Sequence, residues 1–169
     1  ADLDEIIEKA RSEGRPALLV ALDEIKDAYN LGSILRISDC CGVDGVIIPE
    51  RRSVSLDSMV AKASAGAIEY VPVARVTNLA QTLTRLKEKE GFWVCGTDMN
   101  ADYEYHEADY SGNLVVVIGS EGDGMRDGVR KCCDFTVSIP MSGHVNSLNA
   151  AVAAGVVLFE AQAKRHKEG

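Results

Sequence analysis

From Ala150 to Phe159 no side chain of this chain carries a polar group. As a helix that run reaches roughly 15 Å, about half the thickness of a bilayer core, so it cannot span a membrane. A helix that is apolar all round is expected to be buried on every side. The run therefore demands other layers of structure around it. Ala150, Ala151, Ala153, Ala154 and Gly155 are small enough to let neighbouring backbone approach closely. Immediately before them stand Ser147, Leu148 and Asn149, polar groups at an expected helix start. A helix N-terminus carries unpaired N–H groups and the positive end of the dipole. The most buried helix thus opens at a polar loop, Ile139 to Asn149, which is expected to wall a functional site. Ser147 acting only as a cap is the simpler alternative.

The rest of the chain supplies the layers. Ala17 to Leu22, Val43 to Ile48, Val71 to Val76, Phe92 to Thr97, Leu114 to Ile118 and Phe135 to Ile139 read as strands. The continuous apolar runs among them suit strands covered on both faces. Between them Leu31 to Cys41, Leu56 to Ala65, Leu79 to Glu90 and Met125 to Cys133 read as helices. In Leu79 to Glu90, Leu79, Leu83 and Leu86 face inward and Arg85, Lys87 and Lys89 outward. Asp2 to Glu13 is a charged helix or a linker, with Leu3, Ile6 and Ile7 at helical spacing. Strands alternating with helices predict an α/β fold, a mostly parallel sheet flanked by helices. Ligands of such sheets sit outside the carboxyl ends of the strands, where the polar motifs of this chain fall.

Of the 169 residues 46% are hydrophobic and 26% charged, ordinary for a globular domain. The net charge of −8 argues against extensive phosphate contacts, although Thr97 to Ser111 alone holds five acids and no Lys or Arg. Five cysteines include the adjacent pairs Cys40-Cys41 and Cys132-Cys133, spacings that suit neither a disulfide framework nor zinc. Reduced thiols, with no signal peptide or membrane segment, predict a cytoplasmic protein.

Two further polar stretches stand out. In Asp27 to Arg36, Asn30 is an expected N-cap and Arg36 lies about two turns beyond it. Capping alone, or a surface ion pair, would also explain these residues. In Ile118 to Arg126, Gly119, Gly122 and Gly124 follow an apolar strand and allow backbone to approach a ligand. A plain turn is the alternative there, but Glu121 is an acid able to orient an arginine. Neither G-x-G-x-x-G nor a P-loop occurs.

In combination, N-L-G-S-I-L-R (Asn30 to Arg36), V-I-G-S-E-G-D-G-M-R (Val117 to Arg126) and I-P-M-S-G-H-V-N-S-L-N (Ile139 to Asn149) resemble the three motifs of the SpoU (TrmH-like) branch of the SPOUT RNA methyltransferases. The resemblance covers Leu18 to Ala163. Arg75 to Ala80 and Ser120 to Arg126 look most like the subgroup that methylates the ribose 2′-OH of a guanosine in 23S rRNA. The resemblance implies an α/β knot at the C-terminus, S-adenosylmethionine held in it, and a homodimer with a shared active site. It implies that residues 1–16 are a linker remnant or N-terminal helix after an absent RNA-binding domain, and that residues 17–169 form the methyltransferase domain. Carried over residue by residue, Arg36 contacts the target nucleotide, as a base or as a stabiliser of the developing alkoxide, with Asn30, Glu121, Ser147 and Asn149 around it. Gly96, Thr97, Gly119, Ile139, Met141 and Leu148 hold the methyl donor. Arg51, Arg52, Arg126, Arg130 and Lys131 are candidate phosphate contacts or solvated surface charges. His106, His144 and His166 are not placed as bases, and no metal is implied. The same chemistry on tRNA, or a non-catalytic RNA-binding module, are the competing readings.

Overall fold

This computed structural model describes residues 2–50, 62–120, 122–145 and 148–168. Among them the strands are β1 (Leu18–Asp23), β2 (Gly45–Pro49), β3 (Val73–Val76), β4 (Trp93–Thr97), β5 (Tyr103–Glu104), β6 (Leu114–Gly119) and β7 (Phe135–Ser138). The helices are α1 (Leu3–Ser12), α2 (Ala28–Cys40), α3 (Leu79–Glu90), α4 (Asp127–Arg130) and α5 (Ala150–Glu168), with a 3-10 turn at Ala67–Glu69. The strands form one sheet in the order β3-β2-β1-β6-β4-β7-β5, and all their pairings are parallel.

β1 and β6 are buried along their whole length, as continuous apolar runs in a sheet covered on both faces must be. Leu18, Val20 and Leu22 point into a cluster with Leu31, Ile34 and Leu35 of α2 and Ala154, Val157 and Leu158 of α5. Leu19 and Ala21 point the opposite way, against Ile6 and Ile7 of α1 and Leu79, Leu83 and Leu86 of α3. Each fully buried leucine contributes about 1.5–3 kcal/mol relative to exposure. α1 belongs to this second layer. It starts at Asp2, whose side chain accepts from the Asp4 backbone N–H, and it buries Leu3, Ile6, Ile7 and Ala10. Arg11 pairs with Glu90 at the end of α3 at 2.7 Å. Gly45 has no side chain because Ile6 of α1 sits on it: a Cβ there would lie 2.8 Å from the Ile6 methyl.

Several boundaries differ from the sequence reading. α2 starts at Ala28, capped by Asp27, whose carboxylate accepts from the Tyr29 N–H at 2.7 Å. Asn30 therefore lies in the first turn and is not the cap. The terminal helix is not enclosed on every side within one chain: Val152 is 51% and Phe159 50% exposed. β5 has no sequence signature, because its two residues pair with β7 at the sheet edge through backbone. The helix read from Met125 to Cys133 shrinks to Asp127–Arg130. Most of the helix read from Leu56 to Ala65 lies outside the described residues.

Candidate active site

The strand ends build the site. Asp23 of β1 lies opposite Gly119 of β6, and Thr97 of β4 opposite Val137 of β7, so these strands finish on one rim of the sheet. A cavity opens there. Thr97, Asp98 and Met99 form one wall, Ile118 to Ser120 with Gly122 and Gly124 a second, and Val137 to Ile139 with Met141 a third. Leu148, Ala150 and Ala153 close it. The glycines are required by geometry. A Cβ on Gly119 would fall 2.4 Å from the Gly124 carbonyl carbon. Ser120 and Gly124 exchange two backbone hydrogen bonds, and Gly122 and Gly124 hold φ of 88° and 68°, a region that costs a side chain 1 kcal/mol or more, in rough terms.

Of the residues expected to hold a donor, Thr97, Gly119, Ile139, Met141 and Leu148 share this cavity. The Thr97 hydroxyl donates to the Val117 carbonyl at 3.0 Å, so Thr97 is fixed to the neighbouring strand. Gly96 is not on the wall. It lies behind, where a Cβ would meet Cys133 Sγ and Met125 Cε at 2.6 Å. Its glycine serves packing under the loop.

A second, polar cleft adjoins the first. It is lined by Glu24, Lys26, Asp27, Asn30 and Asp123, and it shares Ser120 and Ala150 with the cavity. Asn30 and Asn149 meet here: Asn149 Nδ2 donates to Asn30 Oδ1 at 2.9 Å. Asn149 Oδ1 accepts from the Ala151 and Val152 N–H groups, which makes Asn149 a cap of α5. Two motifs 119 residues apart are thus joined side chain to side chain. Arg36 is exposed on α2 and lines neither the cavity nor the cleft. Glu121, Ser147, Arg51 and Arg52 lie outside the described residues.

Two of the candidate phosphate contacts are engaged with carboxylates. Arg126 Nε donates to the fully buried Asp23 at 2.8 Å, and Arg130 Nε lies 3.0 Å from Asp98. Asp98 is also the one charged side chain among the described residues of the cavity wall. The sequence reading passed over both acids, although each is the first acid after an apolar strand. His144 is exposed, and His106 lies 3.4 Å from Glu104. Burial pushes the thiol of Cys133, which packs against Gly96, up to about 12. Among the described residues no group of three or more His, Cys, Asp or Glu is placed to hold a metal ion, and no helix is long and apolar enough to cross a membrane.

Comparison with known proteins follows the same lines. A model of the SpoU rRNA Methylase family matches residues 17–159. A Staphylococcus aureus (strain MSSA476) protein described as of the TrmH family of tRNA/rRNA methyltransferases is 54% identical, over 100% of this chain and 68% of its own length. The structure of the SpoU methyltransferase AviRb from Streptomyces viridochromogenes in complex with AdoMet is similar at a TM-score of 0.82 and 30% identity, over 89% of this chain and 58% of that one. The A. aeolicus TrmH/SpoU tRNA modifying enzyme is similar at a TM-score of 0.82 and 28% identity, over 99% of this chain and 86% of that one. The AdoMet-bound rRNA methyltransferase from Sinorhizobium meliloti has a TM-score of 0.80 and 29% identity, over 88% of this chain and 57% of that one. The chain spans just under three fifths of the AviRb and S. meliloti structures.

Proposed function

Because this chain belongs to the SpoU rRNA methylase family, a family of RNA methyltransferases, we propose that it methylates a ribose 2′-OH of RNA with S-adenosylmethionine as donor, on a guanosine of 23S rRNA. The observation that carries this reading is the cavity at the ends of β4, β6 and β7 and its shared wall with a polar cleft. The residues fit such a donor. Ile118, Val137 and Leu148 offer apolar surface for a planar base, and the glycine loop brings backbone donors and acceptors close, the usual construction of a small-molecule site. When bound, S-adenosylmethionine supplies a methyl group on a positively charged sulfur.

The chain's own residues supply position and charge. Asn149 holds the start of α5 and Asn30 together, so the cleft beside the cavity keeps its shape. Arg36 orients the target hydroxyl and stabilises negative charge as it develops on oxygen. A guanidinium is a poor base, because its ordinary pKa exceeds about 12. Arg36 reaches no wall of the donor cavity in its own chain, which favours a site completed by a second copy. The exposed apolar side chains of α5, Val152 and Phe159, offer an apolar surface for it. The homodimer, and the knotted threading of the segment between β7 and α5, are parts of this reading. Methylation of tRNA in place of rRNA is the second reading, favoured by the likeness to the A. aeolicus tRNA modifying enzyme.

Calorimetric titration with S-adenosylmethionine and an assay of ribose methylation test this together. Arg36→Ala is expected to leave donor affinity within about twofold of wild type and to lower methyl transfer by roughly 100-fold or more. Residual transfer above about one tenth contradicts the role of Arg36. No donor binding by the wild-type protein contradicts the function itself.

A further inference from the structure

We propose that Arg126 and Arg130 are positioning residues for the donor loop and not phosphate contacts: they pin the described residues of that loop, 119–120 and 122–126, to the two strands that flank β6. The proposal rests on the donor-cavity reading above. β6 lies between β1 and β4 in the sheet. At the end of β1, Asp23 accepts from Arg126 twice, from the backbone N–H at 2.7 Å and from Nε at 2.8 Å. Just beyond β4, Asp98 takes Arg130 Nε at 3.0 Å, while Arg130 Nη2 donates to the Met125 carbonyl at 3.4 Å. One guanidinium therefore ties the loop to each neighbour of its parent strand.

The loop needs such anchors. It contributes Gly119, Ser120, Gly122 and Gly124 to the cavity, and glycines have no side chains to pack and lose the most freedom on ordering. Inside the loop the Ser120–Gly124 backbone pair closes the hairpin. The contacts from Arg126 and Arg130 hold that hairpin against the sheet. Asp23 makes the first anchor firm. Its side chain is fully buried, and a buried carboxylate is costly unless paired and hydrogen-bonded. Glu24, the next residue, holds φ of 61° with its carboxylate 4.0 Å from Arg126 Nε. This left-handed, non-glycine conformation persists where surrounding contacts over-determine it. Asp98 makes the second anchor matter to the ligand, because it is itself part of the cavity wall. A phosphate would have to draw each guanidinium from a carboxylate already in place.

The test separates donor from RNA. Wild type, Arg126→Ala and Arg130→Ala are titrated with S-adenosylmethionine, and methylation kinetics are measured on an RNA substrate at several salt concentrations. The donor Kd and KM are expected to rise roughly tenfold in each variant, as for loss of a charged hydrogen bond. kcat is expected to fall less, and the RNA KM and its salt slope to stay unchanged. Donor affinity within about twofold of wild type overturns the proposal. So does a salt slope for RNA that drops by roughly 0.7 per arginine, the signature of a lost phosphate contact on a single strand. Both side chains are 43% exposed, but Arg126→Ala leaves the buried Asp23 carboxylate without its guanidinium, so thermal melts of both variants are recorded first. Should Arg126→Ala melt below the assay temperature, Arg130→Ala, whose carboxylate partner is less deeply buried, carries the same decision. Failure of the wild-type protein to bind donor defeats the functional reading, whereas equal binding by wild type and variants defeats this inference alone.

Discussion

The Asn149 side chain spends its carbonyl oxygen on the start of α5 and its amide on Asn30. Removing it exposes two backbone donors and frees the Asn30 carbonyl. Asn149→Ala is expected to cost about 1 kcal/mol, the usual worth of an N-cap, and to lower the melting temperature by about 2–4 °C for a domain of this size. An unchanged thermal melt would show that the cap is redundant. The sequence marked both residues as polar groups at helix starts but assigned the caps differently. It placed the first cap at Asn30 because Leu31 begins the apolar periodicity. Asp27 takes that role instead, since its carboxylate reaches the Tyr29 N–H, and this leaves Asn30 free for a partner far away in sequence. Side chains with two possible local uses cannot be decided locally. The sequence reading set Gly96 against the donor; its neighbours Met125 and Cys133 arrive from a different strand connection, and only the fold reveals them.

At the level of elements, α5 carries the sharpest contrast. An unbroken apolar run predicted burial all round, and one face of it is buried against α2 and β6. α2 and α5 lie side by side: Asn149 meets Asn30, a Cβ at Gly155 would touch Ile37, and Gln162 reaches the Cys40 carbonyl. The other face keeps Val152 and Phe159 half exposed, and burying a Phe contributes about 1.5–3 kcal/mol. If a second copy covers this face, Phe159→Asp is expected to yield monomers in light scattering at micromolar concentration. That variant should also lose methyl transfer while donor affinity, which one chain supplies, is retained. A dimer unchanged by Phe159→Asp would remove the shared-site reading. The central strands were legible because burial on both faces leaves no choice of residue. β5 was not, since an edge pair of two residues rests on contacts such as Asp102 with Thr136 and not on periodicity.

Over the whole molecule, the alternation of strands and helices was enough to predict a parallel sheet, and a cavity opens at its carboxyl rim. The order of strands was not, because β6 enters between β1 and β4 only through long-range pairing. That insertion is what brings Asp23, Gly119 and Asp98 to one rim. It also sets two of the arginines of this acidic chain against carboxylates of that rim, Arg126 on Asp23 and Arg130 on Asp98. The most direct measurement is a crystal structure of the protein grown with S-adenosylmethionine. Density for the donor against Gly119, Ile139 and Leu148, with its methyl group turned toward the cleft that holds Asn30, is the predicted result. Donor bound at any other surface, or an empty cavity at saturating concentration, would contradict it.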